Sequence, residues 1–381
     1  MKLADLGTPA LILDRAILAA NCAAMSARMA ALGVALRPHM KTAKSIEVAR
    51  LALGEKGGGI TVSTLREAAY FIAGGIRDVT YAVGIAPAKL DQVAALERDG
   101  ARLTILTDDL GVAGAIAARG AALGHAFRVL IEIDSGGGRG GVMADGAELL
   151  AIGEALHGAG GAEGAELAGV LTHAGHSYDC RGAAEIRAVA EAERASVVGA
   201  AERLRRAGLP CPTVSVGSTP TARFAENLDG VTEARPGVYM FSDLYQAGIG
   251  VGDSGDIACS VLASVIGRRP DKGLILIDAG ALALSLDRST AALEQDSGYG
   301  LVFDAAGRAP IAELRVARVN QEHGMVEGAG GAALPFDALP AGARVRVLPN
   351  HACMTAAMFD RYHVTDGGDE VVAEWPRCNG W

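Results

Sequence analysis

The chain is poor in aromatic residues, which make up 4% of its 381 positions. It contains no apolar run approaching the roughly 20 residues that span a bilayer, so no membrane helix is expected. The N-terminal "MKLADLGTPALILD" sets Asp5 and Asp14 around a very short apolar stretch, which does not fit a secretory signal. Its six cysteines, Cys22, Cys180, Cys211, Cys259, Cys353 and Cys378, form no CxxC pair. In a chain this long they suggest no disulfide framework, and a reduced, cytoplasmic protein is the expectation. A net positive charge is also lacking. The net charge of −9 argues against generic nucleic-acid binding, which needs a basic face. No strand–GxGxxG–helix unit with a downstream acid in register is present, so a dinucleotide-binding fold is disfavoured.

What is present is repetition. From about residue 15 to 245, helical periodicity alternates with short runs rich in Val, Ile and Leu. "RAILAANCAAMSARMAAL" precedes "VALRPHMK", and "LREAAYFIAGG" precedes "DVTYAVG". About eight such helix-then-strand units predict a parallel sheet covered by helices. Eight units favour a closed (β/α)8 TIM-type barrel over an open doubly wound sheet. After about residue 250, segments such as "ARVRVLPNHACMT" predict strands joined by turns, hence a smaller β-rich domain. The predicted organisation is a barrel over 15–248 and a β-rich domain built from 1–14 and 249–381.

The candidate residues follow predicted strands, where the chemistry of a barrel sits. In "LRPHMKTAKS" a short strand, Val34 to Leu36, leads to Lys41. Arg37, Lys41 and Lys44 form a basic run, and such runs are usually solvated. An amine desolvated at the end of a buried strand sheds its proton more readily and becomes a nucleophile. "VSVGSTPT" supplies Gly217, Ser218 and Thr219, and "ARPGVYMFSD" supplies Gly237 and Tyr239. Each is an ordinary turn by itself; together, at successive strand ends, they make an anion cradle suited to phosphate. In "PNHACMT", His351 and Cys353 are two residues apart, and an extended backbone would put both on one face. An imidazole and a thiolate suit zinc.

These motifs, in order from "TPALILD" through "RPHMKTAKS", "DSGGGRGGV", "THAGHSY", "GSTPT", "RPGVYMFSD", "DAGALALS" and "QEHG" to "PNHACMTAAMFDRYHV", resemble the D-serine dehydratase-like and D-threonine aldolase-like enzymes of the alanine racemase fold. The resemblance spans nearly the whole chain. It implies pyridoxal 5'-phosphate (PLP) held as a Schiff base on Lys41, with Arg139 beside the cofactor's phenolic oxygen and Tyr178 near its ring. It places the phosphate on Gly217, Ser218, Thr219, Gly237 and Tyr239, matches His351 and Cys353 to the metal ligands, and implies a homodimer acting on a small D-amino acid. A thiolate prefers zinc over the manganese or magnesium of the aldolases, so His-x-Cys resembles the dehydratase branch.

The leading expectation is a lyase converting a D-3-hydroxyamino acid, such as D-serine or D-threo-3-hydroxyaspartate, to a 2-oxo acid and ammonia. A metal-dependent aldolase releasing glycine and an aldehyde is the alternative. An amino-acid racemase and a non-catalytic PLP-binding protein rank below it. His39, His173, His176 and His323 stay open between packing and catalysis, while Cys22 and Cys211 read as packing residues.

Overall fold

The computed structural model describes residues 1–381 except Lys56, Asp99, 159–163 and Arg308. The described residues form two compact units. One comprises Ala24–Lys41, Ala49–Gly237 and Gly380–Trp381; the other comprises Met1–Ala23, Thr42–Val48 and Val238–Asn379.

The first unit is the predicted barrel. Its strands are Ala35–Leu36, Ile60–Val62, Asp78–Gly84, Arg102–Thr107, Phe127–Asp134, Ala165–Thr172, Thr213–Val216 and Glu233–Ala234. Each pairs in parallel with its neighbour along a path that starts at Ala35–Leu36, passes to Glu233–Ala234, and ends at Ile60–Val62. The two ends of that path then meet. His39 bridges Thr61 in parallel, Met40 N–H donates to Thr61 O at 2.7 Å, and Thr61 N–H donates to Pro38 O at 2.9 Å.

Helices separate the strands, and their ends carry local stop and start signals. Thr64 caps Leu65–Ala73 by accepting the Glu67 N–H, and Asp109 caps Leu110–Leu123 by accepting the Val112 N–H. Gly124, at φ +61°, ends the latter helix in the left-handed conformation that only glycine adopts cheaply. The central strands are buried almost continuously, as a sheet covered on both faces requires: Ala165–Thr172 has one half-buried position and seven buried ones.

One local expectation changes. The strand before Lys41 is Ala35–Leu36, with Ala35 exposed and Leu36 half-buried, rather than a buried Val34–Leu36. Val34 is buried, but only two residues gain parallel partners there, both from Glu233–Ala234.

The second unit holds the antiparallel sheet. Six strands, Leu274–Ile277, Gly324–Gly328, Pro310–Val319, Gly300–Asp304, Arg344–Pro349 and Cys259–Arg269, pair in that order. Cys259–Arg269 pairs back onto Leu274–Ile277, which closes them into a ring. Ala10–Asp14 extends the sheet by pairing antiparallel with Cys259–Arg269 and parallel with Arg361–Thr365. Among the described residues no helix is long and apolar enough to cross a membrane.

Candidate active site

In the barrel unit a cavity of about 450 Å³ is lined by Lys41, Arg139, Arg235, Glu132, Asp108 and His173, with His39 and Gly217 also in its wall. Lys41 lies in the turn after the His39 bridge, with its side chain exposed toward this space. It is therefore not enclosed in the way the apolar run before it suggests. Its backbone is held, because the Lys41 N–H donates to His39 Nδ1 at 3.3 Å.

That bond makes Nδ1 of His39 an acceptor and puts the ring proton on Nε2. His173 has the opposite arrangement: its Nδ1 faces the Gly217 carbonyl, to which it can only donate. Burial pushes His39 well below the ordinary histidine value, helped by the nearby Lys41 charge. Burial also pushes His173 down to about 3, outweighing its bond to Gly217. Both rings are thus neutral near pH 7. The charged groups in the wall are then Lys41, Arg139 and Arg235 against Asp108 and Glu132, a cationic surplus that suits an anionic ligand.

Arg139 reaches the cavity from a glycine-rich loop shaped by one carboxylate. Asp134 Oδ1 accepts the N–H groups of Gly136 at 2.8 Å, Gly137 at 2.9 Å and Gly138 at 3.2 Å. Burial pushes Asp134 up, but these amides win and hold its carboxyl below the usual range. Arg139 itself is exposed and pairs with Glu132 at 3.4 Å. A smaller cavity of about 240 Å³ shares Glu132, Arg139, Gly140 and His173 with the first and adds His176.

Behind the wall lie the predicted cradle residues. Ser218 is buried and caps the short helix Thr219–Phe224, accepting the Thr221 N–H at 3.1 Å. Its hydroxyl also meets Ser177 Oγ at 2.8 Å. Thr219 is buried beside it, and Tyr178 stands half-buried in the turn Gly175–Asp179. Gly237 packs so closely on His39 that a Cβ there would fall 2.7 Å from the His39 carbonyl oxygen. Lys41, Arg139 and Gly217 therefore share one wall, and Gly237 packs against His39 in that wall.

Two groups in this region, Arg235 and Glu193, were not singled out in the sequence. Arg235 is buried apart from its face on the cavity; it donates to Thr172 O at 2.7 Å and to Ser215 Oγ. Glu193, on the long helix Ala183–Arg206, is buried and accepts the Ala174 N–H at 2.9 Å and the Gly217 N–H at 3.2 Å. Burial pushes its carboxyl up, against the pull of those bonds. Both hold the ends of successive strands in place. His39 was visible in "RPHMK", but its tautomer depends on the fold.

In the β-rich unit, His351 and Cys353 do come together, though not on an extended strand. His351 is the last extended residue, and Cys353 already lies in the helix Ala352–Ala356. The turn into the helix, rather than strand alternation, sets their spacing. His351 Nδ1 lies 2.7 Å from Asp287 Oδ2, and the ring also bonds Cys353. Burial alone would lower His351; the bonds to Asp287 and Cys353 instead raise it to about 11. Asp287 is held down to about 2, chiefly by His351. The buried carboxylate of Asp243 accepts the N–H of Ala352, the residue between the pair, at 3.0 Å. Tyr239 is buried in the turn Val238–Met240, and burial pushes its hydroxyl well above the usual tyrosine value. His323 is exposed in the loop between two strands of the ring.

The donor sets fit the groups expected of them. An amine beside a cationic surplus suits an anionic aldehyde cofactor, and an imidazole next to a thiol suits a borderline-soft metal. Among the described residues no cluster of three or more metal-ligating side chains occurs. Two protein ligands leave positions for water or substrate.

The chain resembles known proteins over its whole length. Residues 13–244 match the model of the alanine racemase N-terminal domain, and residues 258–365 match that of a putative serine dehydratase domain. The chain is 50% identical to a D-threo-3-hydroxyaspartate dehydratase of Delftia sp. (strain HT23), covering 100% of this chain and 99% of the relative. It is 31% identical to a D-serine dehydratase of Dictyostelium discoideum, covering 99% and 98%. A solved structure of a cysteine-to-alanine variant of D-threo-3-hydroxyaspartate dehydratase, in its metal-free form, superposes with a TM-score of 0.96 at 49% identity over the full length of both chains. The chain belongs to the alanine racemase N-terminal domain family, among those members whose barrel is followed by a serine dehydratase domain.

Proposed function

We propose that this protein is a PLP- and zinc-dependent dehydratase of D-3-hydroxyamino acids, with D-threo-3-hydroxyaspartate or D-serine as substrate and a 2-oxo acid and ammonia as products. The observation that carries this reading is the imidazole–thiol pair of His351 and Cys353, whose ring is held by Asp287. Full-length likeness to dehydratases supports it. The thiolate favours zinc over manganese or magnesium. A cytoplasmic homodimer completes the reading.

When bound, PLP supplies an electron sink and zinc supplies a Lewis acid for a hydroxide that leaves poorly. Lys41 would hold the cofactor, and its amine is the base that takes the Cα proton of the substrate. Arg139 would sit by the cofactor's phenolic oxygen and Tyr178 by its ring, with Gly217, Ser218, Thr219, Gly237 and Tyr239 on the phosphate. His351 and Cys353 would hold the metal that supplies the Lewis acid. His39 and His173, both neutral, add no charge to the wall; His39 Nδ1 fixes the backbone of Lys41 by accepting the Lys41 N–H.

The test is product identification. The PLP-loaded protein is incubated with D-serine, D-threonine and D-threo-3-hydroxyaspartate, with chelator and with added zinc. Ammonia together with pyruvate, 2-oxobutanoate or oxaloacetate, lost on chelation and restored by zinc, is the expected result. Glycine with an aldehyde would overturn the reading in favour of an aldolase.

A further inference from the structure

We propose that Asp287 is the positioning residue of the metal pair: it keeps the His351 proton on Nδ1, so that Nε2 is left as the ligand atom facing Cys353. The inference rests on the metal reading above and concerns residues of this chain that are not ligands themselves.

Asp287 Oδ2 lies 2.7 Å from His351 Nδ1. The other oxygen is already committed: Oδ1 accepts the Ser289 N–H at 2.8 Å and the Ser289 hydroxyl. The Asp287 N–H in turn donates to Ser285 Oγ at 2.9 Å. With its backbone and one oxygen tied, the carboxylate presents a single oxygen to the ring. A carboxylate on one ring nitrogen selects the tautomer and leaves the other nitrogen's lone pair for coordination. A casual ion pair would not need this double anchoring.

The opposite side is fixed too. Asp243 spans the turn, accepting the Ala352 N–H at 3.0 Å through Oδ2 and the Gln246 N–H at 2.9 Å through Oδ1. The segment from His351 to Cys353 is thereby held in shape before any ion arrives. Such pre-organisation raises affinity by removing the ordering cost from the binding step.

The experiment uses PLP-loaded enzyme stripped of metal, titrated with zinc against a chromogenic chelator and with Co²⁺, whose thiolate and ligand-field bands report the coordination. Wild type should bind metal, and His351→Ala should lose it. Asp287→Ala should weaken binding about 10–100-fold and alter the Co²⁺ bands. Asp287→Asn, whose amide oxygen still accepts from Nδ1–H, should recover part of the loss. If Asp287→Ala does not fold, Ser289→Ala keeps the test open, with an expected loss of several-fold. Unchanged affinity and bands in the Asp287 and Ser289 variants would overturn the inference and leave the metal reading standing. Absence of metal binding by wild type, or binding indifferent to His351, would overturn both.

Discussion

Thr42 Oγ1 stands 3.1 Å from Cys353 Sγ, and Thr42 directly follows Lys41 in the chain. Once the sulfur is ionised the hydroxyl must be the donor, and a donor to a thiolate stabilises its nucleophilic form. The other five cysteines are buried, whereas Cys353 is partly exposed. Iodoacetamide should therefore label Cys353 first in the metal-free protein, and zinc should protect it. Thr42→Val, which keeps the shape and removes the hydroxyl, should slow labelling by about tenfold, the worth of a hydrogen bond to a charged group. Peptide mapping by mass spectrometry reads both effects. Labelling elsewhere, or labelling unaffected by zinc, would contradict the assignment.

Lys41 lines the barrel cavity but plays no part in packing the core. Lys41→Ala should leave the fold intact, abolish the visible absorbance of the bound cofactor, and lower turnover by at least about a thousandfold, as loss of a covalent anchor and base does. Absorption spectra of the dialysed variant are the check. A persisting visible band would remove Lys41 from its role.

Gly237 offers a structural test of the cradle. A Cβ at this position would meet the His39 carbonyl at 2.7 Å, and His39 fixes the backbone of Lys41. Gly237→Ala should cost about 1–3 kcal/mol of stability, the usual range for overpacking. It should also weaken PLP binding. Urea unfolding and cofactor titration measure the two effects separately.

His173 predicts a pH dependence. Burial lowers it to about 3 in the folded protein from an ordinary value of 6.5. Between these values the unfolded chain binds the proton and the folded chain does not. The stability it contributes is thus complete above 6.5 and is lost as pH falls toward 3. One such group adds a slope of up to about 1.4 kcal/mol per pH unit. In His173→Gln, the dependence of the urea midpoint on pH between 4 and 6.5 should flatten accordingly. An unchanged slope would show that His173 is protonated in the folded state.

The sequence by itself determined the barrel, because alternation of helical and strand periodicities is a local property, legible in "LREAAYFIAGG" followed by "DVTYAVG". It also marked Lys41, Gly217, His351 and Cys353, since each sits in a short motif with its own chemistry. Other features required the tertiary structure. Closure of the barrel depends on His39 meeting Thr61, a pairing that no local pattern encodes. The buried strand expected before Lys41 turned out short and partly exposed, because burial depends on which neighbours pair. His351 and Cys353 converge through a strand-to-helix turn, a change of backbone that their spacing does not reveal. Glu193 and Asp287 were silent in the sequence, and Arg235, though inside "ARPGVYMFSD", was not singled out there. A carboxylate or guanidinium carries no signal of its own there, and its role is set by partners that folding brings from far along the chain, as with Asp287 and His351, 64 residues apart.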